Sequence, residues 1–226
     1  MRLLLVAATA AEVQPIVHRL SGPDPLASRL SQFNHRHHQI AVLVTGVGMV
    51  ATAAWCARTL SELRPEIALN VGVCGSFSRA YPPGTVVHVV SDCLAELGAE
   101  DGEAFLTAHD LGLLGRDEPP FHDGRLVCPS IPDGPVLAAL PRVHGITVNT
   151  VHGHEPSIAR AVERWSPDVE SMEGAAFMYA CLTAGVPSAQ VRAVSNRVER
   201  RHRASWTLGE AIAALTHSVV AIIEDL

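Results

Sequence analysis

The amino-acid sequence predicts one α/β domain over residues 1–226: a mixed, mostly parallel central sheet flanked by helices. Three observations carry that prediction. Short apolar runs alternate with segments whose apolar residues recur every three or four positions, the order of strands joined by crossover helices. Most strand-like runs are continuously apolar, as in strands covered on both faces. A chain of 226 residues with 48% apolar and 18% charged side chains supplies one sizeable core and excludes disorder.

Residues 3–9 are the first strand-like run. In residues 11–20, Val13, Ile16, Val17 and Leu20 fall on one helical face. The opening Met1-Arg2-Leu3-Leu4-Leu5-Val6-Ala7-Ala8 has some look of a secretory leader, but the run is short and Glu12 follows soon after, so it reads as a buried strand. Ser21-Gly22-Pro23-Asp24-Pro25 breaks the chain. Residues 26–34 and 39–45 read as a hairpin with a solvated tip, His35-Arg36-His37-His38. A long helix over 47–63 stops before Pro65, and 66–71 and 85–94 are further strands. Residues 97–124, rich in Gly, Pro and Asp, read as a surface excursion or a lid. Strands return at 146–151 and 188–195, and helices at 156–165 and 172–184. In the last helix Leu208, Ile212, Leu215, Val219 and Ile222 recur at helical spacing, after a Thr207-x-x-Glu210 of capping-box form.

Composition narrows the function. A net charge of −6 argues against a nucleic-acid partner, which needs a broad basic face. No apolar run approaches the roughly 18 residues that span a bilayer, so no membrane partner is expected. Cys56, Cys74, Cys93, Cys128 and Cys181 are odd in number and widely spaced, which points to free thiols in a reducing cytoplasm. All 17 basic residues are arginine, so Schiff-base chemistry and a P-loop lysine are excluded.

Four segments are candidates for chemistry. Gly46-Val47-Gly48-Met49-Val50-Ala51 formally fits the dinucleotide fingerprint of an NAD(P)-dependent oxidoreductase. The acidic residue required about 20 positions on is replaced by Asn70, and a tight turn that lets backbone approach a ligand is the better reading. Gly72-Val73-Cys74-Gly75-Ser76 resembles a nucleophile elbow but has Ser76 where the elbow needs glycine, so Cys74 reads as pocket floor. His152-x-His154 and the trio His35, His37, His38 lack further ligands at metal spacing, so no metal is expected. Val169-Glu170-Ser171-Met172-Glu173-Gly174-Ala175-Ala176 delivers two acids and a methionine to a helix start of small residues. A carboxylate there can accept two hydrogen bonds from a vicinal diol beside a soft apolar wall. The alternative is a helix start whose acids suit its dipole.

Together with Glu12 past the first strand and Val191-Arg192-Ala193-Val194-Ser195-Asn196 ending the last, these segments resemble the nucleoside phosphorylase and nucleosidase superfamily, from the first strand to the C-terminal helix. Within it, Asn149-Thr150-Val151-His152-Gly153, the Val-Glu-Ser-Met-Glu-Gly-Ala-Ala spelling and Ser195-Asn196-Arg197-Val198-Glu199 look most like the futalosine hydrolases, which act in an alternative bacterial route to menaquinone. The resemblance implies hydrolysis of a purine nucleoside by water, with no cofactor and in a homo-oligomer, a dimer or dimer-based. It implies Glu12 as general base, Met172 and Glu173 at the ribose hydroxyls, and Asn196 at the purine N7 and 6-substituent. Val47 would line the 5′ side, with Cys74, Gly75, Val151 and His152 on the remaining walls. An arginine of the segment 197–203, Arg197 first among them, would meet the benzoate carboxylate that futalosine carries beyond its 5′ carbon. Two departures refine this. Asn196 replaces the aspartate of nucleosidases that cleave methylthioadenosine, and an amide cannot act as a general acid. Relatives that use phosphate carry arginines where this chain reads Ala7-Ala8-Thr9-Ala10 and Asn70-Val71-Gly72. The alternatives are a methylthioadenosine/S-adenosylhomocysteine nucleosidase or a purine nucleoside phosphorylase and, more distantly, an NAD(P)-dependent oxidoreductase or a catalytically silent nucleoside binder.

Overall fold

Strands and helices alternate along most of the chain in the computed structural model, which describes all residues except 23–25, 27, 129–131, 133 and 201–205. The first strand, β1 (Arg2–Ala7), is buried from Leu3 onward and runs through the sheet interior. It feeds α1 (Ala10–Ser21), and then a hairpin of β2 (Leu30–His35) and β3 (His38–Val44). Next come α2 (Met49–Leu63), β4 (Ile67–Ser76) and β5 (Val86–Asp92). A separate two-stranded sheet, β6 (Gly98–Asp101) and β7 (Ala104–Thr107), precedes β8 (Phe121–His122) and β9 (Arg125–Val127) at the margin of the main sheet. The remainder is α3 (Pro135–Ala138), β10 (Arg142–Thr147), α4 (Glu155–Trp165), β11 (Val169–Ser171), α5 (Gly174–Ala184), β12 (Ser188–Arg197) and α6 (Leu208–Asp225).

The main sheet runs β2-β3-β1-β4-β11-β10-β5-β9-β8, with β12 bonded to both β4 and β5. The runs β3–β1–β4–β12 and β11–β10–β5 are parallel; antiparallel pairs join them and finish the margins. Because β12 bridges β4 and β5, the strands β4, β11, β10, β5 and β12 close into a ring. One edge of β4 carries β12 along its whole length. Its other edge is divided: β1 pairs with positions 67–70 and β11 with positions 75–76. Between them, positions 71–74 have no strand on that edge, and the candidate site opens there. This is the crevice at strand ends where α/β sheets take ligands.

Helices cover both faces. Val13, Ile16 and Val17 of α1 pack with Leu215, Val219 and Ile222 of α6 on one side of the sheet. On the other, Cys56 and Leu60 of α2 pack with Ala175, Phe177, Met178 and Cys181 of α5. Each fully buried aliphatic or aromatic side chain contributes about 1.5–3 kcal/mol. The first turns of α1, α5 and α6, which carry site residues, are thereby fixed against the sheet. All five cysteines are buried free thiols. Among the described residues no helix is long and apolar enough to cross a membrane.

The structure departs from the sequence-based expectations in several places. The strand expected at 146–151 is β10, which begins four residues earlier and ends at Thr147. β4 extends to Ser76 rather than stopping near 71, because β12 pairs with it through the glycine-rich stretch. Of the histidine trio, only His37 lies on a solvated tip. The turn is only Arg36-His37, with Arg36 in the left-handed region at φ 50°, so His35 and His38 become cross-strand partners. His38 is 2% exposed, and His35 Nδ1 lies 2.7 Å from the Leu20 carbonyl. Residues 97–124 form an excursion whose second half extends the sheet, and none of them lines the candidate site, so they are not a lid within this chain. Finally, Thr207 does not cap α6 through its side chain; its N–H donates to the Ser195 carbonyl at 3.0 Å and ties the helix start to β12.

Candidate active site

Glu12 sits in the first turn of α1, where Thr9-x-x-Glu12 holds it from behind. Its Oε2 accepts the Thr9 N–H at 3.0 Å and the Thr9 hydroxyl at 2.7 Å. Its Oε1 reaches the open edge of β4 and accepts the Val73 N–H at 3.1 Å. Gly72 makes that approach feasible: a Cβ there would overlap Arg192 Nη1 and stand 2.7 Å from Glu12 Oε1.

Glu173 precedes α5 at its N-cap position. Its carboxylate does not cap its own helix; Oε1 accepts the Gly48 N–H at 3.0 Å. Gly46 and Gly48, at φ 90° and 96°, adopt backbone that side chains disfavour, and the turn they form delivers that N–H. The close backbone approach expected at this turn is thus made, in the first instance, to Glu173.

Arg192 lies between these carboxylates, and the sequence alone does not single it out. It is wholly buried, its Nη1 4.0 Å from Glu173 Oε2. Nε donates to Gln190 Oε1 at 3.0 Å and Nη2 donates to Asn70 Oδ1, while Nη1 has no hydrogen-bond partner. Asn70 is anchored in turn on the Val6 carbonyl at 3.1 Å. Gln190 donates to Asp92, which also accepts from the Cys93 N–H and the Thr147 hydroxyl. Burial raises the Asp92 carboxyl above its ordinary range, against those hydrogen bonds and the Arg192 charge. Thr147 Oγ1 accepts the Ala175 N–H at 2.7 Å, so the network ends at the start of α5. The one legible signal for Arg192 is a charged residue flanked by Val191, Ala193 and Val194 inside a strand.

Glu12 and Glu173 border a cavity of about 480 Å³, a size suited to a small-molecule ligand, and the Arg192 network lies behind its wall. Of the residues expected from the sequence, Glu12, Val47, Cys74, Gly75, Val151, Met172, Glu173 and Asn196 all line it. Burial pushes the Cys74 thiol up to about 12, so it is a wall and not a nucleophile. Asn196 is oriented by its neighbours: Ser195 Oγ donates to Oδ1 at 2.8 Å, and Nδ2 donates to the Arg197 carbonyl at 2.9 Å. A carbonyl only accepts, so Nδ2 is the nitrogen and its second N–H remains available. His152 does not line the cavity itself; it bonds Glu170, which does. Arg197 is not on the wall, and Arg201 and Arg203 lie outside the described residues. Trp206, Leu208 and Ile212 add an apolar wall at the start of α6. The sequence marks Leu208 and Ile212 only as core, because helical periodicity does not separate a core face from a cavity wall.

The profile of the phosphorylase superfamily matches residues 2–224. The chain belongs to that superfamily. A curated futalosine hydrolase from Streptomyces coelicolor is 32% identical over 232 residues, 97% of this chain and 94% of the relative. One from Thermus thermophilus is 31% identical over 186 residues, 81% of this chain and 80% of the relative. Among solved structures, a 5′-methylthioadenosine/S-adenosylhomocysteine nucleosidase from Helicobacter pylori shares the fold with TM-score 0.82 at 14% identity, covering 100% of this chain and 99% of that one. A futalosine hydrolase mutant from the same organism superimposes with TM-score 0.77 at 14% identity, covering all of both chains. The superfamily fold agrees with the single α/β unit and mixed sheet described above.

Proposed function

We propose that this protein is a futalosine hydrolase, cleaving the N-glycosidic bond of futalosine with water to release hypoxanthine and dehypoxanthine futalosine. One observation carries the chemistry: Glu12, bound at the open edge of β4, and Glu173 converge on the unbonded Nη1 of Arg192, with Asn196 lining the same cavity as both carboxylates. The likeness to futalosine hydrolases at 31–32% identity supports the substrate.

In this reading Glu12 takes a proton from water as it attacks the anomeric carbon. A carboxylate offers about four acceptor sites, and three bonds to Glu12 leave one on Oε1, beside Gly72 and Arg192. Arg192 Nη1, needing an acceptor, supports a water at that place. Glu173, with Met172 beside it, takes the ribose hydroxyls, and its negative charge favours an oxocarbenium-like transition state. The free N–H of Asn196 serves the acceptors at N7 and O6 of a 6-oxopurine. Arg192 is already faced by the Glu12 and Glu173 carboxylates, which disfavours a phosphate dianion at that place and supports water as nucleophile. Methylthioadenosine/S-adenosylhomocysteine nucleosidases are also relatives, at 22–23% identity, but Asn196 favours the oxopurine reading.

The same proposal places the protein in a reducing cytoplasm, in the route to menaquinone, and as a homo-oligomer, a dimer or dimer-based. The test is incubation with futalosine, with and without phosphate. Hypoxanthine should form at an unchanged rate and no ribose 1-phosphate product should appear. A tenfold stimulation by phosphate or arsenate refutes the hydrolase reading.

A further inference from the structure

Three carboxylates line the cavity, and the reaction above uses two of them. The third, Glu170, is 3% exposed and stands beside the base-reading residue: a Cβ on Gly75 would lie 3.4 Å from Asn196 Nδ2 and 3.5 Å from Glu170 Cγ. No arginine pairs with Glu170 among the described residues. Its partner is His152, whose backbone N–H donates to Oε1 at 3.0 Å and whose Nδ1 lies 2.6 Å from Oε2. A carboxylate oxygen only accepts, so Nδ1 carries the hydrogen and the ring orients the carboxylate. Both bonds come from one residue, and about two of the four acceptor sites are left over. Unfilled acceptor sites on a buried carboxylate call for a donor from whatever fills the cavity.

We infer that Glu170, held in place by His152, reads the Watson–Crick edge of the base by accepting the N1–H of a 6-oxopurine. This rests on the proposed nucleosidase reading and adds its specificity element. With Asn196 at N7 and O6, the next group along the edge of the ring is N1. A 6-oxopurine presents N–H there, and a 6-aminopurine presents a lone pair, which faces the carboxylate oxygen without a proton between them. Glu170 is the group that contacts the base; His152 is a positioning residue, its ring edge-on to Phe77 at 6.1 Å.

The test is calorimetric binding of free hypoxanthine, 1-methylhypoxanthine and adenine to the intact wild-type protein, alongside futalosine cleavage. Hypoxanthine should bind at least tenfold more tightly than either other base. Glu170→Gln, whose amide can donate to the adenine N1, should shift the hypoxanthine-to-adenine ratio toward adenine by at least tenfold. A merely steric wall would leave that ratio unmoved. His152→Ala should weaken the preference, and His152→Asn, which restores an N–H near the place of Nδ1, should recover it. If the wild type cleaves futalosine yet binds hypoxanthine and 1-methylhypoxanthine equally, the inference fails while the function stands. It fails in the same way if Glu170→Gln keeps the wild-type ratio. If the wild type neither cleaves futalosine nor binds any of the bases, both fail together. Should Glu170→Gln not fold, the wild-type base series still decides.

Discussion

Both oxygens of Glu12 are hydrogen-bonded before any substrate arrives, which fixes the carboxylate in one orientation with a single acceptor site toward the cavity. Glu12→Gln preserves size and removes the base. A positioned base contributes about 10²–10⁴-fold, so kcat for hypoxanthine release should fall by at least about 100-fold. The new amide nitrogen must also oppose the Thr9 or the Val73 N–H, so the thermal midpoint should fall too, and circular dichroism at the assay temperature checks that the variant is folded. Retention of a tenth of the wild-type kcat by a well-folded variant would remove Glu12 from the mechanism. Asn196 gives a second test at this scale. Its available N–H suits acceptors at N7 and O6, and an adenine N6–H₂ would oppose it, donor against donor. Such a mismatch costs about 1–3 kcal/mol, a discrimination of about 5- to 150-fold. Asn196→Asp should lose activity on futalosine and gain relative activity on the 6-amino analogue, read as kcat/KM for both substrates on both proteins. An unchanged ratio would make Asn196 structural.

At the scale of elements, β4 is divided between two neighbours on one edge, and the bare stretch between them is narrow enough to require glycine. A Cβ at Gly72 displaces Arg192, Glu12 or both. Misplacing a reacting group by about 1 Å can cost about 100-fold, so Gly72→Ala should lower kcat by about that factor while circular dichroism still reports the wild-type secondary structure. Wild-type activity in that variant would show that the site tolerates a displaced Arg192. Gly174 obeys the same geometry at the start of α5, where a Cβ would overlap Gln190 Oε1 and Asp92 Oδ2. The small residue after Glu173 is thus explained by the polar network beneath the helix rather than by helix propensity.

For the whole molecule, two buried histidines should make stability fall with acid. His88 on β5 is 4% exposed, and burial, with help from the nearby Arg142 charge, lowers it from 6.5 to about 4. The folded form therefore binds its proton less readily than the unfolded chain. Stability contributed by the neutral ring is complete above about pH 6.5 and is lost as pH falls toward 4, by up to about 3 kcal/mol. His38, also lowered chiefly by burial, acts in the same direction. Replacing His88 with leucine should shrink the difference in unfolding free energy between pH 7.5 and pH 4.5 by about 2 kcal/mol. Denaturant titrations at the two pH values measure it, and an undiminished difference would place the acid sensitivity elsewhere.

Alternation, apolar runs and punctuating Gly and Pro are local signals, and they sufficed for one α/β domain with most of its long helices and strands near their observed bounds, though not for β10 or the short strands within 97–124. They also placed Glu12, Met172, Glu173 and Asn196 at strand ends, where a sheet of this kind exposes side chains to a ligand. Partnership is a different quantity. Glu173 meets Gly48 across 125 positions and Arg192 meets Asn70 across 122, contacts fixed by the order of strands and not by any periodicity along the chain. Only the bridging of β4 and β5 by β12 turns Arg192 from a charge in an apolar strand into the cation beneath two carboxylates. Likewise, only the pairing of β11 with the end of β4 sets Glu170 at the cavity beside Asn196. Sequence spacing reports which face a side chain takes; strand order decides what it finds there.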